Sequence, residues 1–411
     1  MVNYKIVYSL LILVPTSLGA VRLIKIADSA PIHRVYDYVP RERFFEDIIG
    51  LSEEVWQSHN KRTFFTSLGL DSKNSTITNC KTGQNFKAGH FEEYSLQQLR
   101  VETSKLPKLR SGTFNVKAGQ GTVVDSWFRY YLDVGALQAE PTSKDAVFQV
   151  ASNFSALEPV SKNDVPESGI TKYIYDYTQG PFASLSAAPG IIFRMYYIFH
   201  NLALDSEQWR QTKNKQINLL DNVAEYFPVV NGYVDFHATK TLNKIVDQQI
   251  VSDIKIGYHS DIQVTHGFTK GGLHAHIDSP EQTINQVFTA GLDFGALNRD
   301  LKNNPEAKKR AQMLLDAAYE GTLRIAALKG KKKVFLTLIG GGVFANDLLS
   351  IAQAIEKNKQ FIVDSGLEVT LIIYSCAQLQ EFHKRMFTLT KETRGSFTVY
   401  KADGIYKPAS F

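Results

Sequence analysis

Two hydrophobic rhythms alternate along the chain from about residue 144 onward. Short, nearly unbroken apolar runs at 146–151, 254–258, 286–292, 333–339 and 367–374 predict strands buried on both faces, with a further short strand at 216–220. Between them, apolar positions recur with helical spacing. The clearest case is 305–329, where Ala311, Leu314, Leu315, Ala318, Leu323 and Ala326 form one stripe. Pro305 suits a first turn and Gly330 an exit. Helices are also predicted over 181–200 and over 346–365, the latter ending at Gly366. Strands and helices in alternation predict an α/β sheet with helices on both faces, and a ligand crevice beyond the C-terminal strand ends.

The first third is harder to divide. Residues 91–100 read as a helix, and 105–112 as a turn-rich break. The expected organisation is an α-rich N-terminal extension over 21–140, a three-layer α/β/α domain over 141–380 and a tail over 381–411. The first twenty residues resemble a secretory leader. Lys5 is their only charge, an apolar run spans 6–14, and small residues lead to Ala20. A secreted or secretory-pathway location is the expectation, with a cytoplasmic chain as the alternative. Sequons stand at Asn74, in a polar loop, and at Asn153, after a buried-looking strand.

Composition narrows the function. A net charge of +5 over 411 residues is too small to argue for a nucleic-acid partner. Two cysteines, Cys80 and Cys376, exclude a disulfide-rich scaffold, a Cys-based zinc site and an iron–sulfur centre, and leave room for a single bridge. No cofactor is called for.

The chemistry gathers at strand ends. Leu338-Ile-Gly-Gly-Gly-Val-Phe-Ala-Asn346 runs from a strand through three glycines into a predicted helix. Glycines permit close backbone approach, and a helix start offers N–H groups, so Gly340, Gly341, Gly342, Val343, Phe344 and Asn346 form a candidate diphosphate cradle. No Gly-Lys-Ser/Thr follows, which excludes a P-loop. Asn153 and Phe154 end another strand, where an amide can meet a ribose hydroxyl. Gln179, Gly180 and Ser184 lie where a helix opens with small residues. Asp261 follows the 254–258 run, two residues after His259, and Asp253 precedes it; a carboxylate near a ribose can act as acid or base. His274, His276 and Asp278 alternate, with His266 nearby, and in an extended segment would face one way toward a divalent metal. A metal-dependent hydrolase centred there is one alternative function. A nicotinamide-type enzyme is another, disfavoured because Gly119 and Gly121 do not open a GxGxxG fingerprint.

Over 145–375, these motifs resemble macrodomains, α/β/α modules that bind ADP-ribose. Thr178-Gln-Gly-Pro181, Gly257-Tyr-His-Ser-Asp261 and Asp316-Ala-Ala-Tyr-Glu-Gly-Thr-Leu323 are more specifically similar to the MavL-like class. The resemblance implies a hydrolase that removes mono-ADP-ribose from arginine side chains, with Asp261, and less directly Asp253, in catalysis. It implies ribose contact by Asn153 and Phe154, and diphosphate and distal-ribose contact by Gly341, Gly342, Val343 and Phe344. The partners implied are ADP-ribose and a modified protein. Two departures stand out. Ser155-Ala-Leu-Glu158 replaces the glycine-rich loop that follows the Asn in ordinary macrodomains, leaving Glu158 either structural or near adenosine. The Gly-Gly-Gly…Gln-Glu-Glu signature of poly(ADP-ribose) glycohydrolases is absent, which argues against poly-chain cleavage. A non-catalytic ADP-ribose-binding module would share the binding residues.

Overall fold

The computed structural model describes residues 23–27, 40–58, 70–71, 75–120, 131–201, 208–238, 242, 248–268, 274–277, 279–374 and 381–409. The leader-like segment, Asn74, Asp278 and Cys376 lie outside them. Cys80 is exposed and free.

Ten strands make one mixed sheet: β1 (Leu23–Ala27), β2 (His90–Ser95), β3 (Thr113–Gly119), β4 (Val147–Ala151), β5 (Lys255–Gln263), β6 (Thr283–Thr289), β7 (Lys333–Leu336), β8 (Glu368–Ile373), β9 (Phe397–Lys401) and β10 (Gly404–Pro408). Their spatial order is β1-β10-β9-β3-β8-β7-β4-β6-β5-β2. The block from β9 to β6 is parallel, and antiparallel strands close both sides. Two buried glutamines show that helices cover both faces. Gln149 on β4 donates to Ala318 O and Thr322 Oγ1 of α7 (Pro305–Leu328). Gln286, on the next strand and the opposite face, donates to Ala183 O of α5 (Gln179–Ser186). These amides lie between sheet and helix layers, where an unpaired one would cost about 1–3 kcal/mol. In the core, Phe148 and Phe335 stack across β4 and β7 at 4.6 Å.

Chain path fixes where a crevice forms. After β4 the chain moves to β5 and returns through β6 beside β4. It then crosses over by α7 to β7 on the other side of β4. The strand order therefore reverses between β4 and β7, and their C-terminal ends flank the crevice.

Several expectations are corrected. Residues 21–140 are not an α-rich extension: β1, β2 and β3 belong to the central sheet. Nor is 381–411 a tail, because β9 and β10 belong to the sheet and Phe397 and Val399 lie in its main core. The 91–100 helix begins later. His90–Ser95 pairs with β5, and a capping box of Ser95 and Gln98 starts α3 (Leu96–Ser104). Residues 216–220 form no strand, and the 181–200 helix ends its first piece at Ser186. Pro189, lacking an N–H, sits in the first turn of α6 (Ala188–Tyr196). The 346–365 helix divides into α8 (Leu348–Glu356) and α9 (Lys359–Ser365).

A second core joins the N-terminal segment to α5 and α6. Phe44, Phe45, Ile48 and Ile49 of α1 (Phe44–Ile49) and Trp56 of α2 (Glu53–Ser58) pack on Leu185, Ile191, Ile192 and Tyr196. Glu53 is buried among them but accepts from Ile170 N, Thr171 N and Tyr196 Oη.

Removing the ring at the sheet centre tests this packing. Phe148→Ala should lower unfolding free energy by about 3–5 kcal/mol, measured by urea denaturation.

Candidate functional site

The turn after β7 is fixed from behind and open in front. Gly340 has φ 68°, and a Cβ there would stand 2.4 Å from Asn346 Nδ2. Only glycine fits both demands. Asn346 is buried, and its Nδ2 donates to Leu292 O at 2.7 Å and Gly340 O at 3.2 Å. It thereby ties the turn to the end of β6, while its Oδ1 is buried without a hydrogen bond. At the front, Gly342 has open space at its Cβ position, and Val343 is 69% exposed. The N–H groups of Gly342, Val343 and Phe344 make no hydrogen bond among the described residues. Consecutive unpaired amides of this kind suit an anion. The following helix does not supply the cradle. Asp347 accepts from Ser350 N at 2.9 Å and closes the N-terminus of α8 itself. The loop's own amides replace the helix start expected from the sequence.

On the other side of the crevice, β4 runs into Ser152-Asn-Phe-Ser-Ala-Leu-Glu158. Tyr233 joins the two sides. Its ring lies 5.8 Å from that of Phe344, and its hydroxyl donates to Pro159 O at 2.6 Å. Asn153 Nδ2 donates to the same carbonyl at 3.2 Å. Glu158 is buried beneath the start of α5. A Cβ on Gly180 would stand 2.4 Å from Glu158 Oε2 and 2.2 Å from Ala151 O, so this helix start must be glycine. Ser184 Oγ donates to Glu158 Oε1 at 3.2 Å and accepts from Arg194 Nη2 at 3.1 Å. Arg194 also donates to Ala156 O and His259 Nδ1, and lies over the Phe288 ring at 4.0 Å.

Burial dominates the electrostatics. It pushes the Glu158 carboxyl up to about 8, against the opposing pull of Arg194 and Ser184. Burial also draws the Arg194 guanidinium down to about 9, with Glu158 acting to restore it, so Arg194 stays charged at neutral pH. His259 is held well below the usual imidazole value, by burial first and the Arg194 charge second. A neutral acid therefore sits beside a permanent cation.

The predicted site residues separate into two groups. Asn153, Gly180, Ser184 and the 340–346 turn gather at the C-terminal ends of β4 and β7, though several are occupied there. Phe154 belongs to the main core. Gln179 accepts from Ala151 N and donates to Gln149 O, extending the strand ladder. Ser184 is fully buried against Glu158. Asp261 is corrected outright. Because β5 runs antiparallel to β6, its C-terminal end lies at the N-terminal ends of β6 and β4, where Asp261 N meets Asn285. There Asp261 sits exposed in a bulge at φ 53°, across the sheet from the crevice. Asp253 is exposed, and its carbonyl accepts from Asn222. Asp278 and the His274 side chain lie outside the description, and His276 meets Asp47 and His266 instead. Sequence reasoning missed Arg194 and Tyr233, and left Glu158 undecided. The Glu158 signal was a lone acid in an otherwise apolar run.

Neither a family model nor a curated protein matches this chain. Among solved structures, similar ones include poly(ADP-ribose) glycohydrolase from Deinococcus radiodurans in complex with ADP-ribose, at 12% identity and TM-score 0.38, covering 74% of this chain and 94% of that one. The enzyme of the same name from Thermomonospora curvata is 13% identical at TM-score 0.38, covering 82% of this chain and 100% of that one. At those scores the likeness assigns neither family nor activity.

The raised carboxyl makes stability depend on pH. Between the ordinary Glu value and about 8, the folded chain keeps a proton that the unfolded chain releases, so stability falls as pH rises through that window. Wild type should lose up to about 1.4 kcal/mol per pH unit there relative to Glu158→Gln, measured by urea denaturation at pH 5, 6.5 and 8.

Proposed function

We propose that the chain hydrolyses the N-glycosidic bond joining ADP-ribose to a protein side chain, with arginine the favoured acceptor. The supporting observation is that neighbouring strand ends carry three amides, Gly342 to Phe344, with no hydrogen bond among the described residues, and a neutral buried carboxyl, Glu158. The amides would hold the diphosphate. Asn153 and Tyr233 would border the distal ribose, and Glu158 would be the acid. In this reading Glu158 donates its proton to the leaving nitrogen as the anomeric C–N bond breaks. Water then adds to the oxocarbenium carbon and returns a proton to the carboxylate. The products are ADP-ribose and the unmodified side chain.

The acceptor reading rests on the mouth of the site. The rings of Tyr177 and Phe182 at the start of α5 already hold a guanidinium, that of Arg41, at 5.0 and 4.5 Å. Tyr175 and Tyr177 are largely exposed, and Asp176 lies between them. Aromatic faces beside a carboxylate suit an arginine side chain. The leader-like first twenty residues support a substrate in the secretory route.

Purified protein incubated with arginine-, serine- and glutamate-linked mono-ADP-ribosyl peptides should release ADP-ribose from the arginine peptide. Glu158→Gln should slow release by about 10²–10⁴-fold while keeping ADP-ribose binding by calorimetry. Gly342→Val, which has room to fold, should lose that binding. Asp261→Ala should leave the rate within about twofold, as expected of an exposed residue away from the crevice. Binding without release from any peptide would make the chain a reader of ADP-ribose and remove Glu158 from catalysis.

A further inference from the structure

A second cluster lies apart from the crevice, where the N-terminal segment meets the sheet. The short strands His266–Phe268 and His274–His276 pair antiparallel, with His266 directly opposite His276. Their rings are 5.0 Å apart. Asp47, on α1, reaches both. Its Oδ2 lies 3.6 Å from His266 Nε2 and 3.3 Å from His276 Nε2, and the three donor atoms all fall within 4.8 Å of one another. We infer that Asp47, His266 and His276 form a site for a divalent transition metal of the zinc type.

Three observations carry this. The first is spacing. Ligands about 2.0–2.1 Å from a tetrahedral zinc are about 3.3–3.4 Å from each other, close to both measured separations. A good N–H···O hydrogen bond is shorter, at about 2.9 Å. The second is an orphaned atom. The Asp47 side chain is only 6% exposed, and its Oδ2 is buried with no hydrogen bond, whereas Oδ1 meets Arg43 at 3.2 Å. This carboxylate oxygen is buried between two imidazoles, at 3.3 and 3.6 Å, separations longer than a good hydrogen bond and close to those across a shared metal ion. The third is support from behind. Thr265 Oγ1 lies 2.9 Å from His266 Nδ1, which orients the ring and leaves Nε2 toward Asp47.

The donor set selects the metal. Two imidazoles and a carboxylate suit zinc or its transition-metal neighbours, whereas magnesium and calcium require oxygen ligands. His276 is 48% exposed, so a fourth position remains for water.

The site's place points to a clamp. Ser186 Oγ, at the end of α5, donates to His266 O at 2.7 Å, while Gly180 at the other end of α5 borders Glu158. A bound metal would join α1, which packs on α6, to the hairpin that follows β5. The inference does not rest on the proposed hydrolysis.

Tag-free, full-length protein stripped with a chelator should bind about one zinc per chain by calorimetry and gain thermal stability on binding. Cobalt in its place should give the intense visible absorption of a tetrahedral site. His276→Ala, at a half-exposed position that leaves the fold intact, should weaken zinc binding by at least about 100-fold and abolish the cobalt band, and Asp47→Asn should do the same. His237→Ala, an exposed histidine elsewhere, should change neither. No stoichiometric zinc binding, or equal binding by wild type and His276→Ala, would overturn the site. If Asp47→Asn does not fold, His276→Ala and the cobalt spectrum still decide.

Discussion

Burying a carboxyl and a guanidinium together under the end of β4 constrains everything around them. Glu158 is 3% exposed and Arg194 is wholly buried, so both depend on partners inside the fold. Ser184 stands between them and bonds both. Arg194 fills its remaining valences with Ala156 O, His259 and the face of Phe288. These partners come from the segment after β4, from α5, from β5 and from β6, so the network ties α5 to two strands and to that segment. Gly180 follows from the same constraint, since any side chain there would strike Glu158 and Ala151 O. Coulombic attraction alone does not offset the burial, which is why the acid is held protonated at neutral pH.

Beside that network, at the end of β7, stands a turn that presents backbone amides. The turn from Gly340 to Asn346 is tied behind, where Asn346 binds it to Leu292, and has no hydrogen bond among the described residues in front, at the amides of Gly342, Val343 and Phe344. A wall of amides carries partial positive charge without a lysine or arginine, so it can meet a diphosphate while leaving a neutral acid undisturbed. Tyr233 sets the width of the crevice by touching Phe344 with its ring and Pro159 with its hydroxyl. Burial pushes that hydroxyl well above its usual range, so it remains a donor.

Much of this was legible in the sequence, for physical reasons. Buried parallel strands are nearly continuous apolar runs, so β4, β6, β7 and β8 stood out, and α7 announced itself by its stripe. The Gly340–Asn346 turn was visible because three glycines exceed what a turn needs. The edge strands were not legible. β2 carries only two apolar side chains, Phe91 and Tyr94, and passes at once into α3, so one helical pattern appeared to cover both. Asp261 failed for a topological reason: its strand is antiparallel to its neighbours, and direction within a sheet leaves no mark in local sequence. Glu158 and Arg194 are 36 residues apart in sequence, and only the fold brings them together. The Asp47 cluster is hidden in the same way, since its ligands lie on a helix and across a hairpin rather than along one strand.

The most direct test of the account is the ionisation of Glu158, followed by carbon-13 NMR of protein labelled at glutamate side-chain carboxyls. One carboxyl should titrate near 8, absent from Glu158→Gln and displaced when ADP-ribose is added. If every glutamate titrates below about 5, or if the high-titrating carboxyl ignores ADP-ribose, Glu158 is either ionised or out of reach of the ligand and is not the acid.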